Sequence, residues 1–262
     1  MALLETRSIG VALGNVQVLW AASIAVEPGE IVCLLGPNGS GKSTLMNGIS
    51  RLNTLVSGEI WFDGHALHAL PPHKVSRLGI SHVLERHRLF PYMTVLENLL
   101  LGAGPRPDPV ILKDRFARVY ELFPRLKERE RQMAHTMSGG EQQMCAIGRG
   151  LMANPKLLMV DEPFIGLSPR FRDEVTAALL RLNGEGVALL IIEQNVRQAL
   201  AFSHRAYVLK AGQIAASGPS AKLAGSAQIQ DIFFGRSRVG RHATDNLSAA
   251  DSHDGNGITA AC

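Results

Sequence analysis

A chain of 262 residues, 46% hydrophobic and 19% charged, suffices for one large domain, or one domain with a subdomain, around a sizeable core. A net charge of +4 without a dense Lys/Arg run gives no support to nucleic-acid binding, and Cys33, Cys145 and Cys262 are too dispersed for a CxxC zinc site or a disulfide framework. No apolar run nears the roughly 20 residues of a membrane span, and the amino-terminal Met-Ala-Leu-Leu-Glu-Thr-Arg lacks a signal peptide's charged start and long apolar region, so a cytoplasmic protein is expected.

In chain order, Val16–Val26 and Glu59–Phe62 predict a small antiparallel sheet, and Pro28–Gly29 marks a turn. Ile31–Leu35 is a short non-alternating apolar run, as in a strand covered on both faces. A helix is expected to start near Lys42. Residues 94 to 153 predict mostly helix, read as a subdomain inserted into an α/β core; 102–109, with three prolines, is a loop within it. The run Lys127-Glu128-Arg129-Glu130-Arg131 reads as a solvated helix face. A further helix is expected over Gln142–Ala153, closed by Pro155. Leu157–Val160, Val187–Ile192 and Ala206–Leu209 predict three more buried strands. The sequence after residue 235 turns polar and small, and 236–262 is expected to be a disordered tail beyond a domain spanning 1–235. The fold expected is α/β: a mostly parallel sheet whose core, from the glycine-rich run Gly36–Ser43 after Ile31–Leu35, is that of a P-loop NTPase, with a small antiparallel β-subdomain and an inserted helical subdomain.

Gly36-Pro37-Asn38-Gly39-Ser40-Gly41-Lys42-Ser43, followed by Thr44, lies between a strand and a helix. Such a loop wraps phosphates with successive backbone N–H groups at a helix N-terminus. Lys42 would reach the β- and γ-phosphates of ATP, and the Ser43 hydroxyl would bind Mg²⁺. Leu157–Val160 ends in Asp161 and Glu162: the first suits holding Mg²⁺, the second orienting the attacking water. Ser138-Gly139-Gly140-Glu141-Gln142 contains a capping box, Ser-x-x-Glu, which does not by itself require two glycines. Those glycines would let a phosphate approach the backbone.

The order of these motifs resembles the ATPase subunits of ABC transporters, and Ser138–Gln142 looks like their signature; the resemblance covers about residues 3 to 235. Arg88–Leu99 is similar to the segment that follows the family's Q-loop, and Gly139–Met144, Gly166-Leu167-Ser168-Pro169 and Ile192-Glu193-Gln194-Asn195 look like the branch that powers importers of branched-chain amino acids. Importers of urea or short amides are the nearest competitor. The resemblance implies a head-to-tail dimer with a second ATPase subunit, identical or different, in which Ser138, Gly139, Gly140 and Glu141 serve the partner's ATP. It also implies transmembrane permease subunits, a periplasmic substrate-binding protein and a peripheral location on the inner membrane face. Three positions depart from the general pattern. Glu85 stands where most members have a Gln near Mg²⁺, Gln194 where most have a His, and Leu13 where an aromatic stacks on adenine. A non-transport ABC protein would carry coiled-coil insertions or tandem cassettes, and a GTPase an Asn-Lys-x-Asp motif; neither is present.

Overall fold

The computed structural model describes residues 1–85, 89–105, 107–226, 229, 232 and 233. Arg88 and the expected tail at 236–262 lie outside the described residues. The chain opens with β1 (Leu4–Leu13), β2 (Val16–Ala22) and β3 (Ala25–Val26), then β4 (Ile31–Leu35), α1 (Lys42–Ile49), β5 (Leu55–Phe62) and β6 (His65–Ala66). Next come α2 (Pro72–Arg77), β7 (Ile80–Val83), α3 (Val95–Gly102), α4 (Pro109–Leu122), α5 (Pro124–Glu128) and α6 (Gly139–Leu151). The last part holds β8 (Leu157–Asp161), α7 (Pro169–Gly184), β9 (Ala188–Ile192), α8 (Val196–Phe202), β10 (Arg205–Lys210), β11 (Gln213–Pro219) and α9 (Ser220–Leu223).

Two sheets form. The small antiparallel one runs β2-β1-β5-β6, with β3 also on β1. The larger runs β11-β10-β4-β9-β8-β7, parallel throughout except for the antiparallel edge β11. Its interior strands are buried on both faces, which is why they read as unbroken apolar runs. Along β4, Ile31, Cys33 and Leu35 face a core shared with the helices, whereas Val32 and Leu34 face a core shared with the antiparallel sheet. β8 and β9 alternate in the same way: Leu158, Val160, Leu189 and Ile191 join the first core; Leu157, Met159, Leu190 and Ile192 the second.

Helices occupy the middle of the chain, and α3 ends at Gly102 while α4 begins at Pro109, bracketing the loop expected there. Two expectations need correction. The run 127–131 is not one helix face: α5 ends at Glu128, and half-buried Arg129 in the turn that follows pairs with Glu141. The helix predicted over Gln142–Ala153 spans Gly139–Leu151, because Ser138 caps it and both glycines join its first turn. Strands β1, β7 and β11 were not foreseen.

Candidate functional site

The carboxyl ends of β4, β8 and β9 come together at one edge of the parallel sheet, where open α/β sheets bind ligands. β9 lies between β4 and β8, so its end stands between the phosphate loop and the two carboxylates. From β4 the chain enters the loop through Gly36, whose φ of 152° and tight surroundings demand glycine: a Cβ would lie 2.3 Å from the Leu209 carbonyl oxygen. Gly41, at φ 104°, precedes the first residue of α1 and packs on Leu19 of β2. The Ser40 carbonyl accepts from the Gly212 N–H at 3.0 Å, which ties the loop to the β10–β11 hairpin.

Pro37, Asn38, Gly39 and Ser43 are exposed, Thr44 is half-buried, and Ser40 and Lys42 are buried. Lys42 Nζ donates to the carbonyls of Gly36 at 2.8 Å and Pro37 at 3.0 Å. Burial lowers its pKa, opposed by the nearby Glu162 and Asp161 carboxylates. The cation is therefore held inside the ring of amides a phosphate would enter.

Burial pushes the Asp161 carboxyl up to about 6, opposed by a hydrogen bond from the Ser43 hydroxyl and reinforced by the negative charges of Glu162 and Glu85. Its Oδ1 is buried without a hydrogen-bond partner. An acceptor oxygen in that state beside a hydroxyl and a second carboxylate suits a hard divalent cation. Among the described residues no group of three or more His, Cys, Asp or Glu could hold a metal by itself. Mg²⁺ would thus need phosphate oxygens to complete its shell, as it commonly does.

Glu162 adopts a positive φ of 50°, and its N–H donates to the Ile192 carbonyl at the end of β9. This backbone, costly for a side-chain-bearing residue, turns the carboxylate out of the sheet. Its Oε1 accepts a short hydrogen bond from Nε2 of Gln194. The two residues, 32 apart in sequence, are thereby joined across β8 and β9.

Ser138–Glu141 is built differently. Ser138 and Gly139 are exposed. Glu141 Oε2 accepts from the Ser138 N–H at 3.0 Å and hydroxyl at 2.8 Å, and Oε1 pairs with Arg129 Nε at 2.9 Å. With 5% exposure and both oxygens engaged, Glu141 supports the turn and offers no oxygen outward. The glycines also differ. Around Gly139 nothing lies within 4 Å of a built Cβ, whereas at Gly140 a Cβ would meet the Phe171 ring at 2.4 Å. Gly140 admits an aromatic ring of α7, a reason invisible in the sequence. Among the described residues no hydrogen bond or ion pair joins Ser138–Glu141 to the loop at Gly36–Ser43.

Leu13 is 49% exposed at the tip of the β1–β2 hairpin, at a turn through Gly14 with φ 60°. Glu85 follows β7, close enough to Asp161 to raise its pKa. Sequence reasoning passed over Glu193 as a site residue; it is buried beside Gln194 at 7% exposure.

A phosphate loop on β4, paired carboxylates on β8 and a parallel sheet facing a small antiparallel one together define an ATP-binding cassette. Residues 19–165 match the ABC transporter family, and the chain belongs to it as an ATP-hydrolysing subunit. Its sequence is 42% identical over 233 residues to the high-affinity branched-chain amino acid transport ATP-binding protein BraG of Pseudomonas aeruginosa, covering 89% of this chain and 100% of that one. It is 33% identical to the probable branched-chain amino acid transport ATP-binding protein LivF of Archaeoglobus fulgidus (89% and 99% covered), and 31% identical to the lipopolysaccharide export system ATP-binding protein LptB of Haemophilus influenzae (90% and 98%). Among solved structures, a nucleotide-free cassette of an ABC transporter matches with TM-score 0.76 and 29% identity, covering 89% and 96%. A cassette in its ADP conformation matches with TM-score 0.77 and 29% identity, covering 90% and 100%.

Proposed function

We propose that this subunit powers an importer of branched-chain amino acids. The observation that carries the cargo assignment is the 42% identity with a branched-chain amino acid transport ATPase over its whole length. The 31% match to a lipopolysaccharide export ATPase is the specific ground for a second reading, export of a lipid-linked glycan; import of urea or short amides is a third. Reconstitution with the permeases and binding protein encoded beside it separates them. ATP hydrolysis stimulated by leucine-loaded binding protein supports the first, and stimulation by urea-loaded protein or none by either removes it.

The amides and glycines from Gly36 to Gly41 cradle the triphosphate, and Lys42 exchanges its bonds to Gly36 and Pro37 for phosphate oxygens. Thr44 adds an N–H at the helix start, and Leu13 covers one face of adenine. Ser43 and Asp161 would hold Mg²⁺, with the Glu85 carboxylate contributing to the site, and the ion would supply neutralisation of the charge that builds on the phosphates. Glu162 orients the attacking water and accepts its proton, and Gln194 fixes the carboxylate and can donate to a γ-phosphate oxygen. Exposed Ser138 and Gly139 offer the N-terminus of α6 to the ATP of a facing subunit in a head-to-tail dimer, with Gly140 and Glu141 shaping that turn. No described helix is long and apolar enough to cross a membrane, which fits a subunit that borrows its membrane passage from permease partners.

Glu162→Gln keeps the shape and removes the base. ATP retention with hydrolysis reduced on the order of 10²-fold is expected in a filter-binding and phosphate-release pair of assays. Full turnover in that variant removes Glu162 from its role.

A further inference from the structure

Glu193 is an acidic side chain the reaction scheme above does not use, buried at the reacting end of the sheet. It follows β9 directly, and its N–H donates at 3.2 Å to the Leu34 carbonyl, two residues before the phosphate loop. Its Oε1 accepts two backbone N–H bonds at once, from Gln194 at 3.0 Å and from Asn195 at 2.9 Å. Asn195 continues the chain of contacts: it is the N-cap of α8 and accepts from the Gln198 N–H at 3.1 Å. Glu193 has Arg172 of α7 near it with opposite charge and Glu162 with like charge, and burial raises the pKa of the Glu193 carboxyl. Glu162, Arg172, Glu193 and Gln194 line one cavity of about 220 Å³.

The asymmetry is between backbone and side chain. Gln194 has an exposed, three-torsion side chain whose hydrogen-bond partner among the described residues is Glu162 Oε1, but a backbone pinned by a buried carboxylate. The turn from a strand into a helix leaves N–H donors without partners, and one oxygen of Glu193 satisfies two of them. Side-chain freedom can be tolerated at Gln194 because the point from which the side chain starts is fixed.

We propose that Glu193 is a positioning residue for hydrolysis: by clamping the N–H groups of Gln194 and Asn195, it sets the amide of Gln194 on the Glu162 carboxylate. This rests on the reading of Glu162 and Gln194 as a hydrolytic pair. A displacement of about 1 Å at such a pair is enough to change a rate by an order of magnitude or more, whereas ATP affinity, set by the phosphate loop, is untouched.

The test is steady-state ATP hydrolysis by the full chain as Glu193→Ala, Glu193→Gln, Gln194→Ala and the double variant Glu193→Ala/Gln194→Ala. Expected are a fall of about tenfold in kcat for Glu193→Ala, with KM for ATP within about twofold of the parent. Glu193→Gln, whose carbonyl oxygen accepts the same two N–H groups, recovers most of that loss. The double variant is no slower than Gln194→Ala alone, as for two residues acting on one step. Full additivity in the double variant, a rise in KM with kcat intact, or a Glu193→Gln as slow as Glu193→Ala overturns the proposal. A Gln194→Ala variant with unchanged kcat overturns the assignment of Gln194 itself and the proposal with it, and is told apart because a single variant reports it. If Glu193→Ala does not fold, Glu193→Asp replaces it. Its shorter arm withdraws the oxygen from the two N–H groups, and a loss of kcat confined to chains with intact Gln194 is expected; an equal loss without Gln194 overturns the proposal.

Discussion

At the scale of single residues, adjacent glycines separate packing from ligand approach. Gly140→Ala pushes a methyl into the Phe171 ring at 2.4 Å, so a lower melting temperature is expected, recovered in part by Gly140→Ala/Phe171→Ala, which removes the ring atoms the methyl would meet. Gly139→Ala meets nothing within 4 Å, so the fold should lose little while ATP turnover in the assembled dimer falls. A thermal melt and a turnover assay on both variants check the contrast; equal melting losses would refute it. Asp161 supplies a pH prediction. Its folded pKa of about 6 lies above the ordinary value near 4, so ionisation is disfavoured by folding. Below about pH 4 the group is protonated in both states and costs nothing; stability falls as pH rises from there through 6, and stays lowered above. Asp161→Asn is therefore expected to raise the melting temperature of nucleotide-free protein more at pH 7.5 than at pH 4, and to abolish stabilisation by Mg²⁺ with ATP. An equal gain at both pH values would contradict the assigned cause.

At the scale of elements, α6 shows one cap with two duties. Ser138→Ala removes a capping box, at a cost of about 1 kcal/mol in unfolding free energy by denaturant melt, whereas Ser138→Asn keeps a cap. If turnover falls in both variants while stability falls only in the first, the hydroxyl serves the facing ATP as well as the helix. Such elements differ in how far sequence reveals them. β4, β8, β9 and β10 were legible because strands buried on both sides cannot alternate. β1 was not, since register shifts beside Ile9 and Val11 and a positive φ at Ser8 break its period. β7 is a four-residue strand that includes Ser81 and His82, and β11 is an edge strand rich in Ala, Ser and Gly; neither carries the composition of a strand. For the site, Gly36–Ser43 and Asp161–Glu162 were legible because phosphate and metal chemistry restrict both residue type and spacing. The roles of Phe171, Arg129 and Glu193 were hidden because each depends on what a distant element brings alongside.

At the scale of the whole molecule, the two candidate half-sites, Gly36–Ser43 and Ser138–Gly139, share no hydrogen bond or ion pair among the described residues, which is the arrangement expected of a protein that completes its site with a second subunit. Glu162→Gln with ATP should therefore shift to twice the monomer mass in light scattering, alone if the partner is identical or only on adding the cognate second ATPase if it is not. A persistent monomer under both conditions would refute the shared site. The parallel sheet described above also joins two hydrophobic cores, since successive residues of β4, β8 and β9 point into one and then the other. Neither layer can melt while leaving the other a complete wall, so the two layers are expected to unfold in one cooperative transition. Excising the antiparallel layer would lay bare Val32, Leu34, Met159 and Leu190 as one greasy plane, and the remainder would aggregate where a truly modular half would survive.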